Sequence, residues 1–243
     1  MNEIICDRII ENNLIKVCKR IAHACERQSR DPSMIQIVAV TKFVEISRIQ
    51  NAISCGLHIF AENYVQEAKQ KFSEIRKLHP NIFPHFIGYL QRNKVKDCLL
   101  SCSMIQSVDR WEIAYDIQTQ AKEPVKILVQ VRLGDEPTKH GYDINQIDTF
   151  IEKLSTLDKI EICGLMGIPP YNPDPEKSRP YYRKLYKTFL NARCKPYITK
   201  SFFILSMGMS NDFDIAIEEG SNMIRIGTAL FGPRPNKGEP IET

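Results

Sequence analysis

Short apolar runs alternate with helical patterns eight times along this chain, and no other feature limits its possible folds so strongly. The runs are Gln36–Lys42, His58–Glu62, His85–Leu90, Met104–Val108, Val125–Arg132, Ile160–Ile168, Phe202–Met207 and Met223–Gly227. Short, β-branched and bounded by turn residues, they read as buried strands. Helical spacing of apolar residues fills the gaps, near Glu45–Ser54, Tyr64–Lys77, Arg92–Leu100, Arg110–Ala121, Ile144–Ser155, Arg179–Asn191 and Asp212–Glu219. Such alternation implies a parallel sheet covered by helices. Eight strands predict an α/β fold of one kind, a single (β/α)8 TIM-type barrel. An open doubly wound sheet is the other arrangement, but no G-x-G-x-x-G follows the first strand. Ile5, Ile9, Ile10, Leu14, Val17, Cys18, Ile21, Ala24 and Cys25 add an amphipathic N-terminal helix. No linker or shift in composition divides the chain. One domain over 1–243 is expected, with a polar tail at about 234–243.

Composition excludes several classes of function. Of 243 residues, 43% are hydrophobic and 26% charged, as in ordinary globular proteins. A net charge of +4 without a dense basic run gives no footprint for nucleic acid. No apolar stretch reaches membrane-spanning length, and the opening "MNEIICDRIIENN" mixes charge with apolar groups, unlike a secretory signal. The eight cysteines form no C-x-x-C pair, and most sit among apolar residues. A reducing cytoplasm is the expected compartment.

A barrel gathers its functional groups at the C-terminal ends of its strands, with phosphate often bound after strands seven and eight. Lys42 closes the first run, where a buried ammonium is costly unless paired or neutralised. Strand alternation turns it inward with Val38 and Val40. Strand seven ends "LSMGMSNDFDIAIEEG": Ser206 offers a hydroxyl beside Met207, Gly208 loosens the backbone, and Ser210 or Asn211 suits a helix cap. Strand eight ends "MIRIGTALFG". Gly227 and Thr228 offer amides to a phosphate, while Arg225 is a permanent charge in an apolar strand, facing a ligand or paired internally with an acid such as Glu62. Asn63, just past strand two, caps the next helix or meets a ligand. Met166 falls near the same mouth, and Lys139 and His140 lie in a loop after strand five. No metal-ligand cluster or serine-nucleophile elbow stands out. A lysine, a phosphate cradle and an arginine at one mouth describe a pyridoxal phosphate pocket, in which a desolvated Lys42 amine would condense with the aldehyde.

At these residues the chain resembles the YggS/PROSC family of pyridoxal phosphate homeostasis proteins. The shared stretches are "IVAVTK", "FAENYVQEA", "PHFIGYLQRNKVK", "IQSVDR", "LVQV", "KHGY", "GLMGIP", "LSMGMSNDFDIAIEEG" and "IRIGTALFG". The resemblance implies a fold type III barrel, like the N-terminal domain of alanine racemases, with pyridoxal 5'-phosphate bound as an internal aldimine on Lys42. It also implies Ser206, Gly227 and Thr228 at the phosphate, Arg225 by the pyridine nitrogen and Asn63 near the ring. Met166, Met207 and Gly208 complete the expected contacts. The chain departs from the family at Tyr89, where histidine is common, at Arg132, where asparagine is common, and in Thr-Lys rather than Ser-Lys at Lys42.

Two classes of function remain. One is a carrier that buffers or delivers the cofactor to apoenzymes, as a cytoplasmic monomer with no nucleic-acid or membrane partner. The other is an amino-acid racemase. An arginine at the pyridine nitrogen weakens the ring as an electron sink, and racemisation needs a second acid–base group opposite the lysine. Alanine racemases take that group from a further domain, for which this sequence shows no counterpart. Tyr89 is the candidate substitute. The carrier is expected.

Overall fold

The computed structural model describes residues 8–134 and 140–233. The tail expected at 234–243 and Lys139 lie outside the described residues. The strands are β1 (Gln36–Val40), β2 (Ile59–Glu62), β3 (Phe83–Phe86), β4 (Met104–Val108), β5 (Val125–Arg132), β6 (Tyr142–Asp143), β7 (Ile160–Ile168), β8 (Ile204–Met209) and β9 (Met223–Ile226). All pair in parallel in the order β4-β3-β2-β1-β9-β8-β7-β5, and a β4–β5 pairing closes the ring into the expected eight-stranded barrel. The two-residue β6 pairs with the end of β5 at Val131 and Arg132.

The barrel is covered by α1 (Arg8–Glu26), α2 (Ile46–Ser54), α3 (Val65–Leu78), α4 (Val95–Ser101), α5 (Trp111–Gln120), α6 (Ile147–Leu154), α7 (Arg179–Arg193), α8 (Phe213–Glu218) and α9 (Thr228–Phe231). Alternation along the strands divides the side chains, with one shift in β7, where Ile127 and Leu128 of β5 pair with Ile162 and Gly164. Val38, Ala61, Met104, Leu128, Cys163, Met166, Ile204 and Met223 meet inside the barrel. Their neighbours point outward: Ala39, Phe60, Ile224 and Ile226 join α1, α2 and α3, while Phe86, Ile105, Val129, Leu165 and Leu205 join α4 to α7. Each such aliphatic or aromatic side chain contributes about 1.5–3 kcal/mol when fully buried. The N-terminal helix is fastened to the last two helices: Asn13 Nδ2 donates to Leu230 O at 3.0 Å, and Arg20 Nε donates to Asp214 Oδ2 at 3.0 Å.

Three strands end two or more residues from the expected position, each for a local reason. β1 stops at Val40 because Thr41–Phe43 turns, with Phe43 at φ +62°. β3 runs from Phe83 to Phe86 rather than to Leu90; past it, Gly88 lies so close to the Asn63 backbone that a Cβ there would stand 1.9 Å from Asn63 O. β8 continues to Met209 through a bulge at Gly208, which sits at φ +94°. Ser206 is opposite Met223 and Met209 opposite Arg225, so three residues of β8 span two of β9. A bulge of this kind reverses which side chains face inward beyond it.

Candidate functional site

A cavity of about 560 Å³ opens at the C-terminal ends of the strands, a size suited to a small organic ligand. Lys42, Asn63, Arg225, Gly227 and Thr228 all line it, together with Val40, Ile87, Ile168, Tyr171 and the segment Met209–Asp212. Five of the nine residues expected at the site are thus brought to one mouth.

Lys42 sits in the turn after β1, and that turn is fixed from below. Lys71 Nζ of α3 donates to Thr41 O at 2.8 Å, to Glu62 Oε1 at 2.9 Å and to Glu67 Oε2 at 2.7 Å. Glu67 Oε2 also accepts from Phe43 N at 3.1 Å, and Thr41 Oγ1 donates to Glu62 Oε1 at 2.7 Å. The residues on both sides of Lys42 are therefore anchored, which offsets the left-handed conformation of Phe43. Thr41 bonds Glu62 through its hydroxyl, a contact that serine can also make. Burial pushes the Glu62 carboxyl above its usual range, and the Lys71 ammonium opposes that rise.

Glu62 is therefore Lys71's partner, which sets aside the alternative of an internal pair between Glu62 and Arg225. Arg225 is 3% exposed, and its donors go to neutral acceptors: Nη1 to Ser206 O at 2.9 Å and Ser206 Oγ at 2.7 Å, Nη2 to Gly167 O at 3.0 Å. Burial lowers its pKa to about 10, against the opposing charges of Tyr182 and Asp212. It remains a cation at neutral pH.

Asn63 does not cap α3. The cap position is Tyr64, without a side-chain bond, and Asn63 Oδ1 is buried with no hydrogen-bond partner. A buried polar atom left this way asks for a ligand or water.

The other four expected residues lie off the cavity wall. Ser206 is buried beneath Arg225, with its hydroxyl donated to Gln106 Oε1 at 2.7 Å. Met166 belongs to the barrel interior. Met207 points outward among the helices, and a Cβ on Gly208 would face Ala216 of α8. For Gly208 the bulge is the physical reason: it sets Met209 opposite Arg225 at the mouth, where regular alternation would carry Gly208, and Ser210 follows in the turn.

Ser210 is thus the hydroxyl at the mouth, and it does not cap α8. Its Oγ accepts from Gly227 N at 3.3 Å and Ala229 N at 3.2 Å. Asp212 holds this segment in place. Its Oδ1 accepts from Met209 N at 2.9 Å, and its Oδ2 accepts from Ser178 Oγ at 2.9 Å and Tyr182 Oη at 2.8 Å. The string Ser-Asn-Asp ahead of an apolar helix was a signal for a structured turn, but not for which of the three residues faces the ligand.

Tyr89 and Arg132 stand aside from the cavity. Tyr89 stacks on His140 with ring centroids 4.0 Å apart, and the Arg110 guanidinium lies 4.4 Å from its ring centroid. Arg132 Nη2 reaches Asp143 Oδ2 at 3.5 Å. No group of metal-ligating side chains occurs among the described residues.

Comparison with known proteins finds relatives along nearly the whole chain. Residues 18–235 match the family model for the alanine racemase N-terminal domain. The pyridoxal phosphate homeostasis protein of Aquifex aeolicus is 39% identical over 224 residues, covering 91% of this chain and 96% of the relative. Its counterpart in Escherichia coli K12 is 34% identical over 93% of this chain and 97% of the relative. PipY of Synechococcus elongatus, solved with pyridoxal phosphate bound, superposes with a TM-score of 0.76 at 30% identity, covering 89% of this chain and all of PipY. Alanine racemase of Corynebacterium glutamicum shares only the fold, at 13% identity and a TM-score of 0.68, and this chain spans 63% of it. On the family model and on identity sustained over nearly its whole length, the chain belongs to the pyridoxal phosphate homeostasis protein family.

Proposed function

We propose that this protein binds pyridoxal 5'-phosphate covalently through Lys42 and holds it in reserve for apoenzymes, without turning over a substrate. The observation that carries the reading is the convergence of Lys42, Arg225 and the Ser210–Gly227–Thr228 segment on one small cavity. The residues fit the cofactor in three respects. Asn63 Oδ1 is a buried acceptor without a partner. The amides that open α9 converge on the Ser210 hydroxyl, a geometry that accepts a phosphate oxygen. Arg225 offers a charge whose hydrogen bonds go to neutral acceptors.

When bound, the cofactor supplies an aldehyde that condenses with an amine, and a ring that can delocalise negative charge. Lys42 would supply the amine for that condensation. Arg225 presents a cation to the ring nitrogen and disfavours its protonation. Ser210, Gly227 and Thr228 bind the phosphate, and Asn63 meets the ring.

Racemisation would also need an acid–base group opposite Lys42. Tyr89 is stacked outside the cavity. Tyr171 lines it, but is 80% exposed and has no hydrogen-bond partner among the described residues to aim its phenol. Both facts favour a carrier. The described cysteines are unbridged, and no described helix is long and apolar enough to cross a membrane, in keeping with a cytoplasmic protein. We read it as a monomer.

Borohydride treatment of the cofactor-loaded protein, followed by peptide mapping, will find the cofactor on Lys42; another lysine would refute the assignment. Incubation with single amino-acid enantiomers in deuterated water will show no turnover in the enzymatic range of about 1–1000 per second. α-Proton exchange at such rates, lost in Tyr171→Phe or Tyr89→Phe, would replace the carrier with a racemase. Ser210→Ala will weaken binding about tenfold or more, since a hydrogen bond to a charged group contributes about 1.5–3 kcal/mol. Titration of the visible absorption measures this directly, and unchanged affinity would remove Ser210 from the phosphate.

A further inference from the structure

Gln106 lies on β4 in the barrel interior, fully buried, and every hydrogen-bonding atom of its amide is in use. Oε1 accepts from Ser206 Oγ at 2.7 Å. Nε2 lies 2.8 Å from His85 Nδ1 and 3.3 Å from Met223 Sδ. Inverting the amide would set its oxygen against the Met223 sulfur and take away the acceptor of the Ser206 proton. The arrangement therefore runs in one sense. Arg225 donates to Ser206 Oγ, Ser206 donates to Gln106, and Gln106 donates to His85 Nδ1. His85 can accept because it is neutral: burial, aided by the charge of Lys126, lowers its pKa to about 3.

All three links point their acceptor ends toward Arg225. A chain of aligned neutral dipoles stabilises a buried cation without cancelling its charge, and each bond polarises the next. A carboxylate in the same place would hold the guanidinium as firmly but would neutralise it.

We propose that Gln106 is a positioning residue of the cofactor site: by committing the Ser206 proton, it holds Arg225 in place as an uncancelled cation facing the cavity. The proposal rests on the reading of that cavity as a pyridoxal phosphate site. Its effect is on the ring nitrogen, which a facing cation keeps unprotonated. Gln106 never touches the cofactor and acts through Ser206 and Arg225.

The test uses the full-length protein with and without cofactor. In the cofactor-free protein, solvent exchange of the Arg225 guanidinium protons is followed by NMR. Exchange will be slow in the wild type and at least tenfold faster in Gln106→Leu. With cofactor labelled at the ring nitrogen, the wild type will show an unprotonated signal from pH 6 to 9. Gln106→Glu will hold Arg225 as the wild type does, yet shift the ring-nitrogen signal toward the protonated form. Gln106→Leu will bind cofactor about three- to tenfold more weakly, with attachment still on Lys42. Because Gln106 acts through Ser206, adding Gln106→Leu to Ser206→Ala will weaken binding no further. Additive losses, or unchanged guanidinium exchange in Gln106→Leu, would overturn the proposal, as would a Gln106→Glu ring signal identical to the wild type. Should Gln106→Glu fail to fold, the leucine variant and the double variant still decide. The exchange measurement needs no cofactor, so a protein that failed to load Lys42 would overturn the function reading without touching the Arg225 result.

Discussion

Acidification from pH 7 to pH 4 will cost the folded protein about 3 kcal/mol through His85 alone. The ring is buried and lies near Lys126, and its pKa falls from 6.5 to about 3 in that order of cause. Between those values the unfolded chain binds a proton that the folded chain refuses. Stability from this group is complete above pH 6.5 and is lost as pH falls toward 3, at 1.36 kcal/mol per pH unit. The full window amounts to about 5 kcal/mol, a large share of the 5–15 kcal/mol typical of a domain. His85→Gln keeps an acceptor for Gln106 Nε2 but cannot be protonated. Urea unfolding at pH 7 and pH 4 will show the variant losing about 3 kcal/mol less than the wild type across that interval. Equal losses in the two proteins would mean that His85 is protonated in the fold, or that the ring is solvated.

The other large effect belongs to Asp212→Ala. Three donors converge on that carboxylate, and two of them, Ser178 Oγ and Tyr182 Oη, come from buried side chains. Leaving a buried donor without an acceptor costs about 1–3 kcal/mol each, so a loss of about 3–5 kcal/mol is expected. For a chain of this length that lowers the melting temperature by roughly 10 °C. The same change frees the Met209–Asp212 segment, and with it Ser210. Cofactor affinity will therefore fall further than in Ser210→Ala, where the segment stays anchored. Asp212→Asn, which retains an acceptor for Met209 N, will lie between. An Asp212→Ala protein with wild-type melting and affinity would show that α8 and α9 hold the segment without it.

The barrel itself was legible because eight short apolar runs separated by period-3.6 runs leave few alternatives. Lys42, Arg225 and Gly227 were legible for a related reason: regular alternation from Val38 and Met223 carries inward-facing positions to the mouth, where their chemistry is conspicuous. Ser206 shows where that logic stops. Counting by twos along "ILSMGM" is sound until Gly208, where one extra residue changes the parity: Met209 takes the place opposite Arg225, and Ser210 follows in the turn beyond the strand. A glycine marks a place where a bulge is affordable but does not reveal that one occurs. Gln106 was hidden differently. Inside an otherwise apolar run, a glutamine's importance depends on three partners far away in the chain, and only the folded barrel brings His85, Ser206 and Met223 around it. Glu62 was drawn into the wrong pair for the same reason, because Lys71 reaches it from a helix face that strand patterns do not describe.

The bonds from Lys71 and Glu67 to Thr41 and Phe43 have a bearing on how such a reservoir fills. They tie down the backbone on both sides of Lys42 using groups that belong wholly to the protein. Under the proposed function, the backbone around the reactive amine needs no ordering step before the amine meets an aldehyde. Where the competent state is the prevailing one, apparent affinity is not reduced by the fraction of molecules able to bind. Loading then follows a simple hyperbola in free cofactor, without a threshold. A carrier of the proposed kind is a passive gauge, half full when the surrounding concentration equals its dissociation constant, and yields its cargo as that concentration drops.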